Sequence, residues 1–323
     1  MYCLCLKRQK GQIQPYSGWT LYEGSSGNMG VELARYGLEK GYDVHIFIEN
    51  DQSQVKIDRL RKLGARVTLV PRVAPSHPEY YATLAKTHAS FDRRQKGYFC
   101  NQFHNMASAY GHSKNTGPAI AAAFFKQNPF QTIDAIVVGT GTGGTIAGLS
   151  HYFHHTYSME LAKKIVTEDT SSCPVLTSTN LTHSANVHIC LADVPGSALA
   201  NYVKHGVCWD ESEAMVIPGI RKTWVDGIGQ NRLTDLFLAA EIDSAQQVAD
   251  QASKDMVLWM KSLEGLQLGP SSAVNLCAVE QLIQSGTLLR PVNDEMGRNP
   301  ENEQRFNIVT ILHDTPHWYP EKS

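Results

Sequence analysis

Residues 133–153, IDAIVVGTGTGGTIAGLSHYF, run an apolar strand into a loop holding Gly139, Gly141, Gly143 and Gly144 and straight on into a helical pattern. Few folds accept that continuity. A Val/Ile-rich strand with no polar alternation is buried on both faces, which is the habit of a parallel sheet covered by helices. The loop has its own chemistry. Small residues let backbone amides converge, the helix dipole favours negative charge, and Thr142 and Thr145 add hydroxyls beside the amides, so the loop is built for a phosphate. A tight turn that needs no ligand is the competing reading, and four glycines in six positions weigh against it.

Gly139, Gly141 and Gly144 also satisfy G-x-G-x-x-G. A dinucleotide site wants a second strand ending in an acidic residue about 20 residues on. Glu168 and Asp169 stand near that distance, but in a polar stretch that ends no apolar strand. The Gly-Lys-Ser/Thr of a Walker loop is absent.

The rest of the chain repeats the alternation. DVHIFI (43–48), ARVTLV (65–70), GYFCNQF (97–103) and FNIVTIL (306–312) read as strands, the last of them buried. Helices are predicted in QSQVKIDRLRKLG, with Val55, Leu60 and Leu63 on one face and Gly64 as the stop, and in TGPAIAAAFFKQ, SAQQVADQASKDMVLWMKSLEG and SSAVNLCAVEQLIQSG. The class is α/β, with two doubly wound domains expected over 1–125 and 126–323. Residues 167–186, rich in Ser, Thr and Asn, read as an exposed insertion, and 290–305 as a polar loop.

Composition excludes several functions. With 42% hydrophobic residues and a formal charge of −2, nothing points to disorder or a polyanionic partner, and no basic run interleaves with aromatics, so no nucleic-acid partner is expected. No apolar run is long enough to span a membrane. Seven scattered cysteines fit a reducing compartment better than a disulfide framework, so a cytoplasmic location is expected. The basic start before Glu23, the first acidic residue, leaves a mitochondrial location open. His151, His154 and His155 in HYFHH lack a paired CxxC or HExxH partner and read as polar-face histidines of a helix, so no metal is expected.

Four further stretches carry short polar side chains or glycines at turns. YEGSSGNMGVELA (22–34) places Gly24, Ser25, Ser26, Gly27 and Asn28 before a helix, a setting for an anion or for an ordinary helix cap. CNQFHN holds Gln102 and Asn105 after a strand. VDGIGQNRLTDLF turns at Gly227 and Gly229, and EGLQLGPSSAVN sets Ser271 and Ser272 at a strand-to-helix junction.

Taken in order with the GTGTGGT loop, these stretches resemble the cysteine synthase and cystathionine β-synthase family of pyridoxal-phosphate enzymes, whose fold is that of the tryptophan synthase β subunit. The usual forms are T-S-G-N-T-G, Q-F-x-N, G-T-G-G-T, G-I-G and G-x-S-S/A-G, and the resemblance covers residues 20–280. It implies pyridoxal 5′-phosphate as cofactor, with its phosphate on Gly141, Thr142, Gly143, Gly144 and Thr145, its 3′ oxygen on Asn28 and its pyridine nitrogen facing Ser271. Ser25, Ser26, Gly27 and Gln102 would take the substrate's α-carboxylate, with Gly227 and Gly229 on the substrate side. A neutral hydroxyl opposite the pyridine nitrogen limits charge flow into the ring and favours β-elimination and replacement. The implied reaction is loss of acetate from O-acetylserine and addition of sulfide to give cysteine, in a homodimer. Another elimination or dehydration of a small amino acid, and a non-catalytic cofactor-binding protein or partner subunit, are the alternatives.

Departures from the family pattern are equally specific. The family's Schiff-base lysine lies in S-x-K-D/N-R, upstream of the S-G-N loop. Here that position falls before Met1, and no lysine of the chain occupies the motif, so no catalytic residue is assigned. Met29 stands where the family has Thr, Ala273 where it often has Gly, HDTPHWY replaces D-S-G-x-R-Y, and residues 167–186 interrupt a connection that is normally short. These departures read as a truncated or incompletely spliced product, or as a diverged pseudoenzyme.

Overall fold

The computed structural model describes residues 2–128, 131–159, 187–208, 223–288 and 306–313. Helix α1 (Tyr2–Gln9) is followed by β1 (Thr20–Gly24), α2 (Asn28–Glu39), β2 (Asp43–Glu49), α3 (Gln54–Lys62), β3 (Arg66–Val70), α4 (Tyr81–Ser90) and β4 (Gly97–Phe99). The four strands form a parallel sheet in the order β3-β2-β1-β4. Next come α5 (Ala107–Gly111), a π-helical turn (His112–Thr116) and α6 (Gly117–Gln127). The chain continues through β5 (Ala135–Gly139), α7 (Gly144–His155), β6 (His188–Asp193), α8 (Leu199–His205) and α9 (Asp235–Leu238). It then forms β7 (Ser244–Gln247), α10 (Asp250–Leu263), α11 (Pro270–Gln284) and β8 (Ile308–Thr310). These strands make a second parallel sheet in the order β7-β6-β5-β8.

The two orders are the same. In each sheet the first strand is flanked on one side by the second and on the other by the last, so the winding direction reverses beside β1 and beside β5. Open parallel sheets bind ligands at such reversals, outside the carboxyl ends of the strands. The two glycine loops lie at those two places.

Alternation within the strands divides each sheet's faces. Ile136 and Val138 join one cluster with Ile146, Leu149 and Phe153 of α7, whereas Ala135 and Val137 join another with Val274 and Ala278 of α11. In the first sheet Leu21, Val44, Ile46 and Ile48 pack with Val31 and Leu33 of α2, and Tyr22 and Phe47 pack with Ala85 and Ala89 of α4. Both faces of both sheets are covered, which is why these strands carry no polar alternation. Leu4 and Ile13 are buried in the first of these clusters. Cys5, Cys190 and Cys277 are free thiols, and burial pushes Cys190 and Cys277 up to about 11, as expected of core residues.

Four secondary-structure readings from the sequence are corrected by the structure. Ser244–Gln247, read as the start of a helix, is strand β7, paired in parallel with β6, and the helix begins at Asp250. A short polar segment at a sheet edge has no period that betrays it. The strand in FNIVTIL is the edge strand β8, confined to Ile308–Thr310 and only half-buried. Ser271 follows the loop after α10, so the junction is helix to helix. In α3 the buried face is Lys56, Ile57 and Leu60, while Val55 is exposed. The insertion at 167–186, with Glu168 and Asp169, and the polar loop at 290–305 lie outside the described residues.

Candidate active site

The first loop is stapled from within. Gly27 occupies the N-cap of α2 without a side-chain cap bond, and the Ser25 Oγ accepts from the backbone N–H groups of Gly30 (3.1 Å) and Gly27 (3.4 Å). Ser25 is buried, so its hydroxyl shapes the helix entrance more than it greets a ligand. A Cβ at Gly27 would meet nothing within 4 Å, which marks open space at the helix end. The Gln102 Nε2 donates to the Gly24 carbonyl (2.5 Å), and Asn105 Nδ2 donates to the Cys100 carbonyl (2.9 Å), so both amides hold the loops beside them.

Glu23 is the brace behind this loop, and the sequence reading assigned it no part in the site. Fully buried, it accepts from the N–H groups of Gly24 (2.9 Å) and Gln102 (3.1 Å), and burial raises its pKa from the ordinary 4.5 to about 8. A raised pKa in the fold means stability that is fully present below 4.5 and lost as pH rises through about 8. Glu23→Gln is therefore expected to flatten the pH dependence. Within that window each pH unit costs the wild type up to about 1.4 kcal/mol that the variant keeps. Urea melts at pH 5, 6.5 and 8 read this directly, and parallel profiles for the two proteins would refute it.

The second loop is held from three sides. The Asn275 Oδ1 accepts from the Gly139 N–H (2.7 Å) while its Nδ2 donates to the Ile311 carbonyl (2.8 Å), tying the ends of β5 and β8 together. The Thr140 carbonyl accepts from the Gly229 N–H (2.9 Å), and the Thr234 hydroxyl donates to the Thr142 carbonyl (2.7 Å). Gly143 is the N-cap of α7 with φ +95°, again with no side-chain cap. The glycines answer to their neighbours as well as to a ligand. A Cβ at Gly141 would strike the Gly227 carbonyl oxygen, one at Gly144 the Ser108 hydroxyl, and one at Gly143 the backbone nitrogen of Phe237 at 2.5 Å. Behind Thr145 sits His112, Nε2 3.3 Å from its Oγ1 and Nδ1 2.9 Å from the Thr116 Oγ1, with burial lowering its pKa and favouring the neutral ring.

Both loops open onto one cleft of about 340 Å³. Every residue singled out from the sequence as a site residue lines it except Gly229, which turns at φ +78° against Val194 and Ser197. Ser271 lines the cleft, whereas the Ser272 Oγ accepts from the His313 N–H (2.9 Å), which separates the roles of the two serines. Lys56, Ser108 and Asp226 were missed. The Lys56 Nζ lies 3.1 Å from the Asp226 carboxylate, an ion pair with side chains 7% and 19% exposed that ties α3 to the Gly227 turn. Arg232 makes a second tie, bonding the Tyr80 hydroxyl (2.8 Å) and lying over the Phe103 ring. No local pattern could reveal partners so far apart in the chain.

The residues fit a phosphate-bearing cofactor. The Thr140 Oγ1, on the cleft wall, is buried without a hydrogen-bond partner, and a buried hydroxyl left so is costly unless an acceptor arrives. The N-termini of α2 and α7, whose N-cap residues Gly27 and Gly143 carry no side chain, border the same space, an arrangement for two anions.

Comparison with known proteins agrees with this geometry. Residues 2–291 match the family model described as pyridoxal-phosphate dependent enzyme. The chain is similar to cysteine synthase 2 of Schizosaccharomyces pombe, 36% identical over 286 residues, which cover 85% of this chain and 64% of that protein. It is also similar to cysteine synthase 1 of Emericella nidulans, 31% identical over 324 residues, 100% of this chain and 72% of that one. Thus it spans less than two thirds of the first relative's length. Among solved structures, that of O-ureido-L-serine synthase superposes with a TM-score of 0.68 at 18% identity, covering 98% of this chain and 78% of that one, a likeness of fold. With the family model running over nearly all of it, this chain belongs to the pyridoxal-phosphate-dependent enzymes, in the cysteine-synthase-like group of fold type II.

Proposed function

We propose that the cleft holds pyridoxal 5′-phosphate together with a small amino acid of the O-acetylserine type, in the arrangement used for β-replacement by cysteine synthases. The observation that carries this reading is the meeting of the α2 and α7 N-termini on one cleft, one for a carboxylate and one for a phosphate. Gly141 to Thr145 would hold the phosphate, with His112 fixing the Thr145 hydroxyl from behind. Asn28 would meet the ring's 3′ oxygen and Ser271 its nitrogen. The amides of the α2 entrance, stapled by Ser25, would orient the α-carboxylate with Ser26, Gly27 and Gln102. When bound, the cofactor supplies a sink for charge developing at the substrate's α-carbon. On this reading the two sheets form the two halves of the site, the first for the substrate and the second for the cofactor phosphate. No membrane or nucleic-acid partner is part of it, and among the described residues no helix is long and apolar enough to cross a membrane.

A direct test compares pyridoxal phosphate with pyridoxal, which lacks the phosphate, by absorbance and fluorescence titration of the purified chain. The phosphate is expected to strengthen binding at least about a hundredfold, the yield of two or so charge-assisted hydrogen bonds. Thr145→Val is expected to remove about tenfold of that gain. Equal affinity for the two compounds would sink the assignment of the Gly141–Thr145 loop.

A further inference from the structure

At the far end of α7 from the glycine loop, His151 and His155 stand one turn apart, their ring centroids 5.1 Å from one another. Glu241, from the segment between α9 and β7, reaches the same spot, with its Oε1 2.6 Å from the His155 Nε2. One ligand atom from each of the three lies within 4.8 Å of the others, and all three residues are exposed. The carboxylate is held in place before any ion arrives. The Glu241 N–H donates to the Ser150 Oγ (3.1 Å), which pins that segment to α7, and the Glu241 Oε2 lies 3.5 Å from the His154 Nδ1. His154 is not a polar-face residue. Its side chain is 11% exposed, and its Nε2 faces the Val187 carbonyl and the Asp243 carboxylate.

We propose that His151, His155 and Glu241 form a binding site for a borderline divalent transition-metal ion such as Zn²⁺, separate from the cleft. Two imidazoles and one carboxylate are the donor set such ions prefer, and hard ions such as Mg²⁺ and Ca²⁺ prefer oxygen alone. Histidines at i and i+4 share a helix face. Around a tetrahedral ion the donor atoms sit roughly 3.3 Å apart, a contraction that rotation of exposed side chains provides. The ion takes the place of the His155–Glu241 hydrogen bond. Water fills the fourth position, and His154 steadies the Glu241 oxygen that does not bind, as neighbours of metal-ligating carboxylates do.

The proposal is independent of the cofactor reading, and its test reads no activity. Chelator-treated chain is titrated with ZnCl₂ by calorimetry, beside His151→Ala, His155→Gln and Glu241→Gln, with circular dichroism as the check on folding. One equivalent of Zn²⁺ is expected to bind the wild type with micromolar affinity. Each histidine variant should weaken it at least tenfold, and Co²⁺ should show the intense visible bands of a tetrahedral site only in the wild type. Absence of binding to the wild type overturns the proposal. So does equal Zn²⁺ affinity in the wild type and folded histidine variants, since the ion then sits elsewhere. Should a histidine variant misfold, Glu241→Gln and the Co²⁺ spectrum decide in the same two directions.

Discussion

Gly143→Asp is expected to destabilise the fold itself, by about 2–5 kcal/mol, before any question of anion binding arises. The residue sits at φ +95°, where a side chain is strained, and its Cβ would stand 2.5 Å from the Phe237 nitrogen and 2.8 Å from the Phe237 Cα. Those are backbone atoms of α9, fixed by the Thr234 hydroxyl that accepts from the Phe237 N–H and donates to the Thr142 carbonyl. A flexible side chain could move aside, but this backbone cannot without releasing the loop. Gly27→Asp is the informative contrast. Its φ of −123° suits any residue, nothing lies within 4 Å of the new Cβ, and Asp is a good N-cap. The variant is expected to melt within about 0.5 kcal/mol of the wild type while binding of an amino-acid carboxylate falls about a hundredfold, because a like charge occupies the helix end. Urea melts of the cofactor-free proteins and titration with O-acetylserine in the presence of pyridoxal phosphate separate the two effects. A Gly143→Asp protein as stable as the wild type, or a Gly27→Asp protein that binds substrate normally, would overturn the respective assignment.

Supplied with pyridoxal phosphate, O-acetylserine and sulfide, this chain is expected to form cysteine no faster than the free cofactor does. Orienting the amino acid is not enough, because moving the α-proton takes a positioned base, commonly worth about 10²–10⁴-fold. A lysine that also carries the cofactor is worth more than that alone. No lysine of the chain stands in the family's motif. Lys56 does line the cleft, but its Nζ is engaged by Asp226 at 3.1 Å. Accordingly, borohydride reduction should leave no cofactor mass on Lys56. Fusing a segment that carries S-x-K-D/N-R ahead of the chain should bring turnover, and changing its lysine to Ala should remove it. Turnover by the chain alone that disappears in Lys56→Met would instead assign the base to Lys56.

What could be read in the sequence was whatever local spacing encodes. The runs at 133–138 and 43–48 announce strands covered on both faces, and Gly64 ends α3 with φ +95°. The GTGTGGT and GSSGN loops announce helix N-termini open to anions, since a glycine run between strand and helix is a local property of the chain. Long-range partners were not legible. Ser244–Gln247 is a strand because β6 offers it a parallel edge, and three polar residues around one alanine carry no sign of that. Lys56 looks like one more charge on α3, yet the fold buries it and brings Asp226 to it across 170 residues. Glu241 meets His155 across 86 residues, and Asn275 holds Gly139 across 136. Local spacing thus dictates which loops can hold an anion and that they hang on parallel strands. That both loops face one cleft follows from long-range folding, because in two sheets of the same strand order the winding reverses beside β1 and beside β5 alike.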